Sequence, residues 1–231
     1  FDTSISLPLL ALMTVIAAVL YQKTMKITDW RIGGLAKYFL AVFLLVLIAW
    51  SFGGGLVPFV RAQIANRELR TVGSAEKRIP LYPVLLGSPI DQHAFLWRTA
   101  TDFQRGIADN LKVLEDPRKI ENLKREIVIL ENGYRDYLKA HPTHFRAHLN
   151  LADVLIYQQL FGVNKLVEAQ AILDEAINLV PQSPQSYWMK AVAYTYMRKF
   201  DLARDYAQKG YNLNPKIEQS QEIIDYVEKS I

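Results

Sequence analysis

The sequence predicts an all-α protein in which two transmembrane helices precede an α-solenoid of helical repeats. The stretches Thr3–Gln22 and Tyr38–Val60 contain no charged residue. At about 1.5 Å per residue, each stretch is long enough to cross a hydrocarbon core of about 30 Å. Farther along the chain, Ala169 and Ala203 occupy the same phase of a helical pattern, 34 residues apart. That spacing is typical of solenoids built from pairs of helices.

The composition excludes several classes of function. The chain of 231 residues has no cysteine, which rules out disulfide frameworks, thiolate zinc sites and cysteine nucleophiles. After residue 60, 23 basic and 21 acidic residues are interspersed, so no basic face indicates a nucleic-acid partner. The chain begins with Phe1. We interpret this start as an internal cut in a longer protein, with a trimmed or processed start as the alternative.

Residues 1–60 are predicted to form two transmembrane helices, Ile5–Tyr21 and Ala36–Val57, with a short basic connector between them. The connector, Gln22–Lys37, carries four basic residues, and short basic loops usually stay in the cytoplasm. We therefore expect a protein integral to the bacterial cytoplasmic membrane, with the lipid bilayer as a partner and an extracytoplasmic repeat tail. Basic residues such as Arg61 follow the second helix closely and favour the opposite orientation. A buried apolar hairpin is the remaining alternative.

Residues 61–90 are predicted to form a helical extension and an elbow, because Pro80, Pro83, Gly87 and Pro89 interrupt regular structure there. Beyond the elbow, pairs of helices are each closed by a proline. This pattern predicts helical repeats over residues 91–142, 143–181 and 182–215, of which the first is degenerate, and a C-terminal capping helix over residues 216–231.

The last repeat carries the clearest motif. Its small, aromatic and proline positions are Tyr187, Ala191, Tyr194, Ala203, Gly210 and Pro215. Small residues let the two helices of a pair cross closely, aromatic rings fill the space beside the crossing, and the proline ends the second helix. This stretch closely resembles a tetratricopeptide repeat (TPR). The preceding repeat fits the same pattern with about five extra residues near Phe161–Asn164, which we expect to extend its first helix to Leu160.

The resemblance implies protein binding rather than catalysis. In this family the first helix of each repeat lines a concave face. The positions that match on this chain are Arg146, Leu149, Asp153, Ile156, Tyr157, Gln185, Trp188, Val192, Thr195 and Tyr196. The resemblance implies a protein partner or a glycan on this face, with Tyr157, Trp188 and Tyr196 as anchors. The alternative is that these aromatic side chains pack against the neighbouring repeat.

Motifs that carry chemistry are not found in the sequence. It has no phosphate-binding loop, dinucleotide fingerprint or nucleophile elbow, so we expect no catalytic residue and no cofactor in this chain. His141, His144 and His148 form the only cluster to weigh as a metal site, since two of them are spaced four residues apart. No third ligand of suitable geometry is apparent, and His148 falls where the repeat needs a bulky ring. We therefore expect packing and capping roles and no metal.

The order of the elements also resembles that of the O-antigen ligase and polymerase-like bacterial membrane proteins with a C-terminal TPR tail. The resemblance is carried by Phe1–Thr3 before an apolar stretch, the basic connector, an alanine-rich helix at Val60–Leu69 and an elbow at Leu86–Ile90. It implies that the chain is the C-terminal part of a multispan enzyme that transfers or polymerises lipid-linked glycans, with catalytic residues upstream. The alternative is a two-span, membrane-anchored TPR scaffold or adaptor without catalytic activity.

Overall fold

The structure is a computed structural model that describes residues 43, 46, 57–72, 74–87, 92–108 and 116–231. The predicted transmembrane helix Ile5–Tyr21, and all but three residues of Ala36–Val57, lie outside these ranges. Within the ranges, no helix combines the length and the apolar character needed to cross a membrane. The chain divides into two compact units, residues 1–72 with 83–90 and residues 73–82 with 91–231.

The regular elements of the described residues are helices, which confirms the predicted all-α class. The first elements in chain order are α1 (Val57–Leu69), α2 (Ala75–Arg78), α3 (Tyr82–Leu86), α4 (Gln92–Ala108) and α5 (Pro117–Ala140). The later elements are α6 (Phe145–Tyr157), α7 (Leu166–Leu179), α8 (Pro184–Tyr196), α9 (Phe200–Leu213) and α10 (Glu218–Lys229). Short 3-10 turns cover Ile79–Leu81 and Gln158–Phe161.

Side-chain caps fix where two of the long helices begin. The Asp116 carboxylate accepts hydrogen bonds from the backbone N–H groups of Arg118 and Lys119, at 3.0 and 3.5 Å. Pro117 occupies the first position of α5, where the missing N–H costs nothing. At the start of α6, His144 Nδ1 accepts the N–H of Ala147 at 3.2 Å. The histidine side chain therefore acts as the N-terminal cap of α6.

Consecutive helices pack as pairs and build a TPR-like α-solenoid. Helix α4 packs with α5, α6 with α7 and α8 with α9, while α10 closes the stack against α8 and α9. The small residues predicted at the crossings are fully buried, among them Ala191 and Ala203. Gly210 lets the Trp188 side chain of α8 lie close to the backbone of α9, because a Cβ at this position would lie 2.4 Å from Trp188 Cδ1. The tryptophan ring therefore occupies the space that the glycine leaves open.

The helical conformation reaches the predicted Leu160, but the extra residues of the second repeat form a 3-10 turn and not a further turn of α-helix. The helix ends at Tyr157 and continues as a 3-10 turn that closes at Gly162, where φ is 77°. The Gln158 amide and the Lys165 ammonium both donate to the Glu131 carboxylate of α5, at 2.5 and 2.6 Å. This polar cluster, which we call the Glu131 cluster, holds the inserted turn against the preceding repeat.

The charge of Glu131 is stabilised inside this cluster. Burial alone would raise its pKa, but hydrogen bonds from Lys165, Gln158 and Arg135 outweigh burial and lower the pKa below its usual value. Arg135 donates to Glu131 at 2.8 Å and to Glu168 of α7 at 2.5 Å. The cluster therefore joins the first and second repeats through ionised groups.

The predicted elbow is folded in its first half rather than acting as a free hinge. Arg78 Nε and Nη2 donate to the two carboxylate oxygens of Glu126 in α5, at 2.7 and 2.8 Å. The Tyr82 hydroxyl donates to the same carboxylate. All three side chains are buried. Residues 74–82 are thus held on α5 by a bidentate ion pair inside the protein.

Candidate functional site

The first helix of each pair contributes to one surface, which we call the inner face. Helices α4, α6, α8 and α10 follow one another along it, and each contacts the next. The predicted groove residues do not all reach this surface. Arg146, Gln185 and Tyr196 are exposed, Asp153, Tyr157 and Val192 are half-buried, and Leu149, Ile156, Trp188 and Thr195 are buried.

Trp188 belongs to the core rather than to an open groove. Its side chain is 5% exposed and lies against the Cα of Gly210. Thr195 is also buried, and its hydroxyl donates to the backbone carbonyl of Ala191 at 3.0 Å. Trp188 therefore packs within its own repeat, between α8 and α9, and the predicted alternative of packing against the neighbouring repeat stays untested. A binding role for the accessible positions stays a prediction.

Three tyrosines follow one another along the inner face, and we call them the tyrosine row. Tyr157 ends α6, Tyr196 ends α8, and Tyr226 lies in α10. Burial, the charge of Asp153 and the proximity of Tyr196 raise the pKa of Tyr157 to about 12. Burial and the neighbouring Tyr196 phenol raise the pKa of Tyr226 to about 12. Tyr196 thus lies close to both of the other phenols.

Tyr226 was not among the sequence candidates. The capping helix lacks the paired second helix that defines a repeat, so no motif drew attention to its inner positions. Its place in the stack is nevertheless that of the first helix of a further repeat, since α10 packs against both α8 and α9. Reading the capping helix as half a repeat would have placed Tyr226 beside Tyr196.

Asp153 lies beside the tyrosine row in an environment that disfavours its charge. The Gln104 amide of α4 donates to one oxygen of the carboxylate. Burial raises the pKa of Asp153 to about 7, and the Gln104 hydrogen bond opposes this rise. Among the residues that the structure describes, no lysine, arginine or histidine forms an ion pair with Asp153. Asp153 is a half-buried residue, and its carboxylate lacks a counter-ion in the described part of the chain.

Two neutral groups of the first two repeats lie close to Asp153. The Tyr134 ring of α5 is fully buried, and its pKa is raised first by burial and then by the charge of Asp153. The Asn150 side chain of α6 lies close to the Tyr134 hydroxyl and opposes this rise in the pKa of Tyr134. Even so, Tyr134 Oη and Asn150 Nδ2 make no hydrogen bond of normal geometry with other described residues. In the described part of the chain, the groups around Asp153 are thus polar but uncharged.

The histidines take structural positions. His141 stacks on Tyr137 with ring centroids 4.5 Å apart, and His144 caps α6. His148 is buried and its Nε2 lies 3.3 Å from a Glu175 carboxylate oxygen. Within the described ranges, no three histidine, aspartate or glutamate side chains are arranged to hold a metal ion.

Replacing Asp153 with asparagine should stabilise the protein above neutral pH. The folded carboxyl has a pKa of about 7, whereas an unfolded aspartate titrates near 3.9. Since the folded state binds the proton more tightly, wild-type stability should fall as pH rises from about 4 to about 7. We expect the variant to be more stable by about 1–3 kcal/mol at pH 8, because partial exposure moderates the full shift.

Urea unfolding of both proteins at pH 4, 6 and 8 measures this difference. The two curves should nearly coincide at pH 4 and separate as the pH rises. Equal stability at pH 8, or a variant that is less stable there, would show that the carboxylate of Asp153 is well solvated or paired.

Comparisons with known proteins find solved structures that are similar to this chain only at low sequence identity and with TM-scores of 0.48 or less. No family model matches the chain, and no curated protein matches it. The first TPR domain of human RPAP3, solved by NMR, is 13% identical with a TM-score of 0.40, over 57% of this chain and 91% of that one. MamA from residue 41 onward, from Desulfovibrio magneticus RS-1, is 16% identical with a TM-score of 0.48, over 74% and 84%. A MamA RS-1 ArsTM double mutant is 16% identical with a TM-score of 0.47, over 74% and 83%.

The resemblance to O-antigen ligase and polymerase-like proteins is wrong. No family model supports it, and the fold is that of a TPR-like solenoid. The short motifs that suggested it have local explanations where the structure describes them. The alanine-rich stretch lies in α1, where Ala62, Ala65 and Leu69 are buried on one side. Gly87 follows the end of α3, where a Cβ would lie 3.1 Å from the Pro83 carbonyl oxygen.

Proposed function

We propose that this chain is a non-catalytic TPR-like scaffold or adaptor whose inner face binds an extended segment of a protein partner. The tyrosine row carries this proposal. Tyr196 and Tyr226 are 39% and 38% exposed, and they lie on successive helices of the inner face, α8 and α10. Aromatic side chains with a polar tip provide a large contact area at low entropic cost, which is why tyrosine is enriched at protein interfaces.

The arrangement of the row favours an extended polypeptide over a compact ligand. Tyr157, Tyr196 and Tyr226 come from three consecutive helices of the inner face, so a ligand that contacts all of them must follow the stack. Their neighbours Asp153 and Gln104 supply polar groups. Nothing in the described residues supports the glycan or bilayer contacts expected from the sequence.

Selection of displayed random peptides on the full chain tests this function. Peptides that bind the wild type should bind Tyr196→Glu at least about 30-fold more weakly, because central aromatic anchors of interfaces commonly contribute 2 kcal/mol or more. The matched control is Val167→Glu on α7, since Val167 is 71% exposed and does not lie on a first helix. Far-UV circular dichroism of each variant confirms that the helices are intact.

Two outcomes would overturn the proposed function. One is that selection yields no peptide that binds the wild type. The other is that the selected peptides bind Tyr196→Glu and Val167→Glu equally well, which would place their contacts outside the inner face.

We further propose, from the sequence alone, that residues 1–60 anchor the scaffold in a bacterial cytoplasmic membrane with the repeats on the outer side. The two charge-free stretches and the basic connector support this localisation. Carbonate extraction of cells that express the full chain tests it. Recovery of the chain in the membrane pellet is expected, and release into the supernatant would overturn the proposed anchorage.

A further inference from the structure

Asp153 is the feature of the inner face that the packing of the solenoid does not explain. Its carboxylate receives a hydrogen bond from Gln104 at one oxygen, and no described residue donates to the other. Withdrawing an ionised carboxylate from water without a cation is costly, and proteins usually compensate it with a lysine or arginine. The chain itself compensates other buried charges in this way, as Glu126 with Arg78 shows.

Among the residues that the structure describes, the groups that face Asp153 from the neighbouring helices are uncharged near neutral pH. They are Gln104 of α4, Tyr134 of α5 and Tyr157 of α6. Tyr196 of α8 lies next to Tyr157. No positive charge among the described residues competes for the carboxylate, and the tyrosine rings beside it present faces that attract cations.

We propose that Asp153, Tyr157 and Tyr196 form a seat for a lysine or arginine side chain of the bound protein segment. The ammonium or guanidinium group would contact the Asp153 carboxylate oxygen that does not accept a hydrogen bond from Gln104. The aliphatic part of the same side chain would pack along the tyrosine rings. The Gln104 amide holds the other oxygen of the same carboxylate through its hydrogen bond. This inference rests on the proposed function, because it assigns the chemistry of one residue of the partner.

The seat makes binding depend on the protonation of Asp153. A cation is attracted only by the ionised carboxylate, whose fraction rises with pH around a pKa of about 7. Affinity for a basic peptide should therefore increase about tenfold between pH 6 and pH 8. Gln104 does not titrate, and burial raises the pKa of Tyr134 and of Tyr157, so both phenols stay neutral in this range.

The test uses the peptides selected on the full-length wild-type chain, and compares them with peptides selected on Asp153→Asn. Wild-type selection should enrich lysine or arginine at one peptide position, and selection on the variant should lose that enrichment. For a single selected peptide, changing its basic residue to glutamine should weaken binding to the wild type about tenfold and leave binding to Asp153→Asn unchanged. Asp201→Asn on α9, which removes an equally negative but fully exposed group, is the control.

The outcomes separate this inference from the proposed function. Peptides that need Tyr196 but carry no enriched basic residue, and that bind Asp153→Asn as tightly as the wild type, would overturn the cation seat and keep the proposed function. An equal loss of affinity with Asp201→Asn would also overturn the seat, since it would reveal a general charge effect. A selection without any inner-face binder would overturn both.

Discussion

Replacing Glu126 with alanine should lower the free energy of unfolding by about 3–5 kcal/mol, which is typical when one partner of a buried ion pair is removed. Glu126 is fully buried and is held by both Arg78 and Tyr82. Burial alone would lower the pKa of Arg78, but its hydrogen bonds and charge interaction with Glu126 outweigh burial and raise the pKa. The guanidinium would therefore stay charged and buried after losing the Glu126 carboxylate.

Urea unfolding followed by circular dichroism measures this loss, and hydrogen exchange locates it. Amides of residues 75–82 should lose protection first, because this segment is joined to α5 through the mutated carboxylate. Glu121→Ala is the matched control, since Glu121 is exposed on the same helix, and it should change stability by less than about 0.5 kcal/mol. Equal effects of the two substitutions would show that the ion pair does not hold the elbow.

Replacing Asp174 with alanine should destabilise the protein by about 2–4 kcal/mol. Lys190 of α8 is 2% exposed, and its ammonium lies 2.5 Å from Asp174 of α7. The ammonium also lies 4.8 Å from the centre of the Tyr206 ring, a contact that contributes about 1 kcal/mol or somewhat more when desolvated. Without Asp174, the buried ammonium would keep its contacts with the Tyr206 and Tyr194 rings but lose this carboxylate.

A double variant shows whether the buried charge causes this loss. Lys190→Met removes the cation while keeping an unbranched apolar side chain, so Asp174→Ala with Lys190→Met should recover most of the stability. Asp205→Ala is the control, because Asp205 pairs with Lys209 at the surface and such pairs contribute at most about 1 kcal/mol. A double variant no more stable than Asp174→Ala would mean that Asp174 contributes by another route.

The periodic features of the fold could be predicted from the sequence. The helix pairs and the small residues at their crossings follow from helical propensity and from a repeat length that is visible in Ala169 and Ala203. The site was harder to predict. Trp188 occupies a first-helix position that the family pattern places on the groove, but Gly210 of the next helix opens a space that the ring fills. Such a choice depends on a contact between helices rather than on local spacing.

The polar contacts were not predictable in the same way. Arg78 and Glu126 are 48 residues apart, and each taken alone looks like an ordinary surface residue. Gln104 lies in the degenerate first repeat, where no motif aligns it with Asp153. The mistaken family resemblance has a related origin, because it relied on the order of short motifs and not on contacts that fix a structure.

The Glu131 cluster and the Lys190–Asp174 pair give each repeat a specific neighbour. Lys165 of the second repeat matches Glu131 of the first, and Lys190 of the third matches Asp174 of the second. Removing residues 182–215 would leave Asp174 without its cation, and exchanging the second and third repeats would remove Lys165 from Glu131. The repeats of this stack are therefore not interchangeable. Each one carries charged side chains that pair with one particular neighbour, so charge complementarity fixes the order of the repeats along the stack.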